Sequence, residues 1–133
     1  MELVIDASVA VRLAMEAEGF PLLAAAHELS APALLWSESV SVLHELRWRQ
    51  QISEELAALA LRRVFEAPVA EIALQELLTR AWDVADRARW AKTYDAEYVA
   101  AALLTDRVLV TLDGRLRRGV ARFVDVRTPA EVA

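Results

Sequence analysis

The sequence predicts an α/β fold: a mostly parallel central sheet flanked by helices, in three layers. Three observations carry this. Short aliphatic runs, Leu3-Val4-Ile5 and Val108-Leu109-Val110-Thr111-Leu112, read as strands buried on both faces. Between them lie longer stretches whose apolar residues recur at helical spacing, as at Leu56, Leu59, Leu61 and Val64. The 133 residues are 56% hydrophobic with only 3 Gly and 4 Pro, enough apolar content for one buried core and too little chain for two.

The elements follow in order. After the first strand, Ser8 is placed to cap a helix running to about Glu16. Gly19 and Pro21 break the chain, and a second helix is expected over 22–29. Ala31 to Leu35, opened by Pro32, reads as a second strand, and Ser37 as the cap of a long helix from Glu38 to about Gln50. Ser53-Glu54-Glu55 has a capping serine and acids in the first turn, which open a further helix that Pro68 ends. Val69 to Ile72 is a short edge strand, and a long helix is expected from about Leu74 to Trp90. Thr93-Tyr94 reads as a turn, and Asp95 starts a helix that ends near Asp106. The strand over 108–112 stops at the turn dipeptide Asp113-Gly114. Phe123 to Val126 reads as a last strand and Thr128 to Ala133 as a tail. The whole, 1–133, reads as a single domain.

Composition excludes several functions. With no cysteine there is no disulfide scaffold, thiolate metal site or cysteine nucleophile, and two histidines leave little for a His-rich metal site. The first residues lack the basic region of a signal peptide, and no uncharged stretch approaches the ~20 residues of a membrane span. A cytoplasmic protein is therefore expected. The net charge of −5 runs against a protein that grips nucleic acid by bulk electrostatics. Of the 15 basic residues only Lys92 is lysine; arginine suits bidentate phosphate contacts, and a genomic composition bias accounts for the excess equally well.

In open α/β sheets, ligands bind beyond the carboxyl ends of the strands. Asp6 and Asp113 follow strands, and Glu38 and Asp95 lie at helix starts, so all four acids fall on one rim. Singly, Glu38, Asp95 and Asp113 are accounted for as capping or turn residues; Asp6, between a buried strand and Ala7, is less easily explained so. Together they would repel one another, and a divalent cation relieves that. An all-oxygen set suits Mg²⁺ or Mn²⁺ rather than zinc, and metal-dependent phosphodiester hydrolysis is the chemistry such a site supports. Other phosphate chemistries fit less well. Neither glycine-rich phosphate loop is present, Asp6-Ala7-Ser8 is not the Asp-x-Asp of a phosphatase, and Lys92 is misplaced for a receiver domain.

These acids and their flanks resemble the PIN-domain ribonucleases, in particular the VapC toxins of type II toxin–antitoxin modules. Four blocks match in order along the whole chain: Val4-Ile5-Asp6-Ala7-Ser8; Pro32-Ala33-Leu34-Leu35 with Ser37-Glu38 and Val42-Leu43; Tyr94-Asp95-Ala96 with Tyr98-Val99-Ala100; and Val110-Thr111-Leu112-Asp113 with Arg115-Leu116. The resemblance implies a three-layer PIN-like fold and a Mg²⁺- or Mn²⁺-dependent endoribonuclease, in which a metal-activated water attacks an RNA phosphodiester. Asp6, Glu38, Asp95 and Asp113 match the family's acidic quartet, with Asp6 and Asp95 at its core, and Ser8 and Thr111 match the positions that support those acids. It further implies a cognate antitoxin partner and a homodimer or toxin–antitoxin hetero-oligomer. Where many relatives carry Asn three residues after the second acid, this chain has Ser41.

Arg115, Arg117 and Arg118 directly follow Asp113, and Arg12 lies about one turn after Ser8. These arginines face either an RNA backbone or solvent. Trp36, Trp48, Trp82 and Trp90 are expected to pack in the core or at an interface, Trp36 being the one placed for substrate contact. The helices around Trp48, with Arg47, Arg49, Glu54, Leu56 and Leu59, are the expected antitoxin or dimer surface. Two other readings share the same acids: an inactive PIN-like protein-binding module, and a metal-dependent DNA nuclease or phosphatase.

Overall fold

The computed structural model describes residues 1–133. In chain order its elements are β1 (Glu2–Ile5), α1 (Ala7–Ala14), α2 (Gly19–Ala26), β2 (Glu28–Pro32), α3 (Leu34–Trp48), α4 (Glu54–Glu66) and β3 (Val69–Ile72). There follow α5 (Leu77–Ala88), α6 (Tyr94–Thr105), β4 (Val108–Val110), α7 (Gly114–Val120), β5 (Val126–Arg127) and α8 (Pro129–Val132). The strands form one sheet in the order β3-β2-β1-β4-β5. Every pairing is parallel, with Leu3 opposite both Leu29 and Val108.

That order sets the layers. From β1 the chain winds outward through β2 to β3, then crosses back to place β4 and β5 on the other side. Right-handed crossovers put the helices of the two halves on opposite faces. Accordingly α1 packs against α2, α3 and α4, while α5 packs against α6, and α6 lies across β1, β2 and β4. Central β1 is covered on both sides: Leu3, Val4 and Ile5 are completely buried, as are Leu109 and Val110 of β4. The winding direction reverses between β1 and β4, and a crevice opens there at the strands' carboxyl ends. At the opposite end, Arg107 ties the first strands together, donating to Ser30 Oγ at 2.9 Å and pairing with Glu2 at 3.2 Å. No helix is long and apolar enough to cross a membrane.

Strand β1, the α4 helix and β3 lie where sequence patterning put them; other boundaries differ for local reasons. The α1 cap is Asp6, which accepts from the Val9 N–H, and Ser8 lies inside the helix with its hydroxyl turned back to Asp6. Leu29 belongs to β2 rather than the preceding helix, because pairing with β1 starts at Glu28. Pro32 ends that strand instead of opening it. The α3 helix starts at Leu34, so Ser37 is not its cap but donates to the Leu34 carbonyl at 3.3 Å. Tyr94 opens α6 rather than forming a turn. The Asp113-Gly114 dipeptide is not a terminal turn: Asp113 caps α7, and the last strand moves to Val126–Arg127. The tail folds into α8 through a capping box between Thr128 and Glu131.

Candidate active site

Asp6 leaves β1 at the switch point and is 5% exposed. Three donors hold its carboxylate. Oδ1 accepts from Ser8 Oγ at 2.6 Å and from the Val9 N–H at 3.1 Å, and Oδ2 accepts from the Thr111 hydroxyl. Thr111, itself buried, extends β4 and reaches Asp6 across the crevice, while its oxygen accepts from the Asp113 N–H at 3.0 Å. Ser8 closes the loop from the other side, accepting from the Leu112 N–H at 3.0 Å. Asp113 spends Oδ1 on α7, accepting from Arg115 and Leu116 N–H. Both hydroxyls thus donate to Asp6, and through the Leu112 and Asp113 N–H groups they tie it to the segment that follows β4.

The other two acids approach from the helices. Asp95 sits in the first turn of α6, half-buried, paired with Arg115 at 3.5 Å. Glu38 lies one turn into α3, half-buried, and accepts from Tyr98 Oη at 2.8 Å. Tyr98 is completely buried, three residues along α6 from Asp95. Its role in orienting Glu38 escaped sequence reasoning, although it belongs to the block that carries Asp95. The two side chains, sixty residues apart in sequence, meet only in the fold.

The four carboxylates share one electrostatic field. Burial pushes the Asp6 carboxyl above the ordinary range, against the hydrogen bonds from Ser8, Thr111 and Val9, and the charge of Asp95 adds to the rise. Burial raises Glu38 too, Tyr98 opposes it, and Asp95 and Asp6 add repulsion. Asp95 is raised by burial and then by Asp113, with Arg115 pulling the other way. Desolvation pushes the Tyr98 hydroxyl far above the usual phenol range, and repulsion from Glu38 adds to it, so it stays a donor. Yet no three acids or imidazoles close into a cage fit to hold an ion. The donors are all hard oxygens, the set that Mg²⁺ or Mn²⁺ takes together with water and phosphate. The arrangement therefore fits a loosely held ion rather than an all-protein cage.

The remaining candidates are scattered. Arg115 is exposed and already engaged with Asp95. Arg117 pairs with Glu131 at 2.9 Å, and Arg118 is exposed. Arg12 is exposed in the last turn of α1, ~9 Å along the helix axis from Asp6 at 1.5 Å per residue. Ser41 is exposed on α3. Trp36 and Trp90 pack against the core, whereas Trp48 is 76% and Trp82 65% exposed.

A doubly wound parallel sheet with acidic side chains gathered beyond the carboxyl ends of its strands defines the class as an α/β domain with an acidic site at its switch point. More narrowly, the chain belongs to the PIN-domain family, whose model matches residues 3–120. PIN domains are in general nucleases. No curated protein sequence matches the chain. Among solved structures, that of PAE2754 from Pyrobaculum aerophilum is similar at TM-score 0.73 and 23% identity, covering 99% of this chain and 92% of that one. VapBC-1 from nontypeable Haemophilus influenzae is similar at TM-score 0.64 and 12% identity, covering 96% and 98%. A toxin–antitoxin complex from Klebsiella pneumoniae is similar at TM-score 0.59 and 21% identity, covering 96% and 97%. At these identities the shared feature is the fold.

Proposed function

We propose that this chain is a divalent-metal-dependent endoribonuclease, a single PIN domain over 1–133 that acts in the cytoplasm as the toxin of a toxin–antitoxin pair. The observation that carries the reading is the approach of Asp6, Glu38 and Asp95 at the carboxyl end of the sheet of a PIN-family chain, with Asp113 beside Asp95, close enough that Asp95 raises the proton affinity of Asp6 and Glu38 and Asp113 raises that of Asp95. These four would hold Mg²⁺ or Mn²⁺. A bound ion would polarise the scissile phosphate and lower the pKa of a water. The chain's own residues prepare the site. Ser8 and Thr111 fix Asp6, Tyr98 fixes Glu38, and Arg115 screens Asp95 until a phosphate competes for its guanidinium. RNA as substrate rests on the resemblance to the VapC toxins.

The likeness to two toxin–antitoxin structures supports a cognate antitoxin as partner. The exposed Trp48 at the end of α3, beside the start of α4, supports that helix pair as the antitoxin or dimer surface. The test is cleavage of a labelled total-RNA pool by antitoxin-free protein in Mn²⁺, in Mg²⁺, in EDTA, and by Asp95→Asn. Discrete fragments that vanish in EDTA and in the variant are expected. No cleavage, together with no Mn²⁺-dependent rise in Tm, would replace this reading with that of an inactive protein-binding module.

A further inference from the structure

The segment 89–93 between α5 and α6, with Tyr94 at the start of α6, walls a cleft that also holds Glu38, Asp95 and Arg115. It carries Arg89, Lys92 and Tyr94 into the neighbourhood of the acids. Arg115 is spent on Asp95, but Arg89 and Lys92 take part in none of the protein's ion pairs. Both are exposed, Lys92 is the chain's only lysine, and the Tyr94 ring beside them is 56% exposed. Two cations outside any ion pair and an exposed aromatic ring thus line the same cleft as Glu38 and Asp95.

The wall is held in place. Trp90 is half-buried against α7, where a Cβ on Gly119 would come within 3.0 Å of its indole. The Trp90 N–H bonds the Ala85 carbonyl at 2.9 Å, closing the end of α5 with Arg89 in the left-handed conformation, φ 60° and ψ 44°. Glycine is the usual occupant of that capping position because it adopts the conformation without Cβ strain. An arginine there is an unfavourable backbone choice that displays a guanidinium over the cleft.

We infer that Arg89, Lys92 and Tyr94 bind single-stranded RNA beside the scissile phosphate, the two cations on backbone phosphates and the Tyr94 ring under an unpaired base. The inference rests on the ribonuclease reading above and extends it to substrate form. A guanidinium fork and an ammonium each match a phosphate. An exposed ring stacks on any base whose face is free, which a duplex does not offer.

The test is fluorescence anisotropy of a short random-sequence single-stranded RNA on the full chain. Millimolar Ca²⁺ replaces the working cation, and the oligonucleotide is verified intact afterwards. Arg89→Gly should weaken binding about tenfold while Tm holds or rises, since glycine relieves the left-handed strain. The double variant Arg89→Gly/Lys92→Gln should flatten the salt dependence by about 1.4, at ~0.7 per phosphate contact on a single strand. Tyr94→Leu should weaken binding roughly fivefold to a hundredfold with the salt slope unchanged. If wild type binds and all three variants bind equally well, the inference fails while the ribonuclease reading stands, as it would were the wall a site for an acidic protein segment. If wild type itself shows no binding, the inference fails, and the cleavage and Tm measurements above decide the ribonuclease reading by themselves.

Discussion

Tyr98 Oη donates to Glu38 Oε1 at 2.8 Å, from a side chain with no exposed surface to a carboxylate at the edge of the crevice. Because burial and the surrounding acids hold the Tyr98 proton far above the usual phenol range, the bond points one way at every working pH. Tyr98→Phe keeps the ring and deletes only the donor. Glu38 is half-buried, so water replaces part of what is lost, and the fold should lose no more than about 1–2 kcal/mol. Cleavage and Mn²⁺ affinity should each fall about tenfold, as for residues that orient metal-site carboxylates. Unchanged Mn²⁺ affinity in a calorimetric titration would remove Tyr98 from the site.

Thr111 supports Asp6 differently, because both ends of its hydroxyl are used. It donates to Asp6 Oδ2 in a buried setting and accepts from the half-buried Asp113 N–H at 3.0 Å. Thr111→Val preserves shape but leaves the buried Asp6 Oδ2 short of a donor, at a cost of about 1–3 kcal/mol, and the part-buried Asp113 N–H short of an acceptor that water can partly replace. It also removes a bond that lowers the Asp6 proton affinity, so the carboxyl should titrate at higher pH. Mn²⁺ binding requires the ionised form, and its pH profile should move in the alkaline direction. Thr111→Ser should restore the profile. A Val variant with the wild-type profile would show that Thr111 is only a packing residue.

The shared field of the acids makes the metal-free protein pH-sensitive in a direction that can be worked out. Asp6, Glu38 and Asp95 are raised above the ordinary 3.8 and 4.5 in the folded chain. Such groups contribute stability that is fully present below those ordinary values and is lost as pH rises through the folded ones. Asp125 and Glu131 are lowered by Arg127 and Thr128 respectively, so their contribution is present above the ordinary values and lost only in stronger acid. In EDTA, Tm should therefore peak in mild acid and decline toward neutrality. Asp95→Asn should flatten the decline and raise the neutral Tm, and Mn²⁺ should do the same in wild type by offsetting the repulsion. A Tm in EDTA that climbs from mild acid to neutral pH would contradict the shared field.

What the sequence disclosed, and what it hid, follows from the range of the interactions. Asp6 and Asp113 were legible because each directly follows an aliphatic strand, a local pattern. The Ser8 and Thr111 supports were legible through the motifs that contain them. The Thr128-x-x-Glu131 capping box is also local and was open to reading, but the short tail hid it. In contrast, the β2 boundary depends on its register with β1, which no local pattern contains. The same holds for Tyr98 on Glu38, sixty residues apart, and for the cations of segment 89–93, which acquire meaning only when α5 and α6 bring them to the cleft. Trp48 and Trp82 are exposed, and of the two expected alternatives, core or interface, they do not take the core, a choice that helix periodicity leaves open.

The corner between α1 and α2 offers a stability test that is independent of the site. A Cβ on Gly19 would stand 2.2 Å from the Leu13 carbonyl oxygen and 2.8 Å from Leu13 Cα. Both are backbone atoms of α1, so relief requires separating the two helices, which also loosens Phe20 in the core. Gly114 is crowded only in appearance: its nearest neighbour, at 2.9 Å, is the end of the flexible Arg118 side chain, which can swing into solvent. Gly19→Ala should therefore lower unfolding free energy by about 1–3 kcal/mol or more, and Gly114→Ala should change it by no more than about 0.5 kcal/mol. Urea midpoints at constant slope read both values. Equal midpoints for the two variants would mean that α1 and α2 approach less closely at Gly19 than this geometry has them.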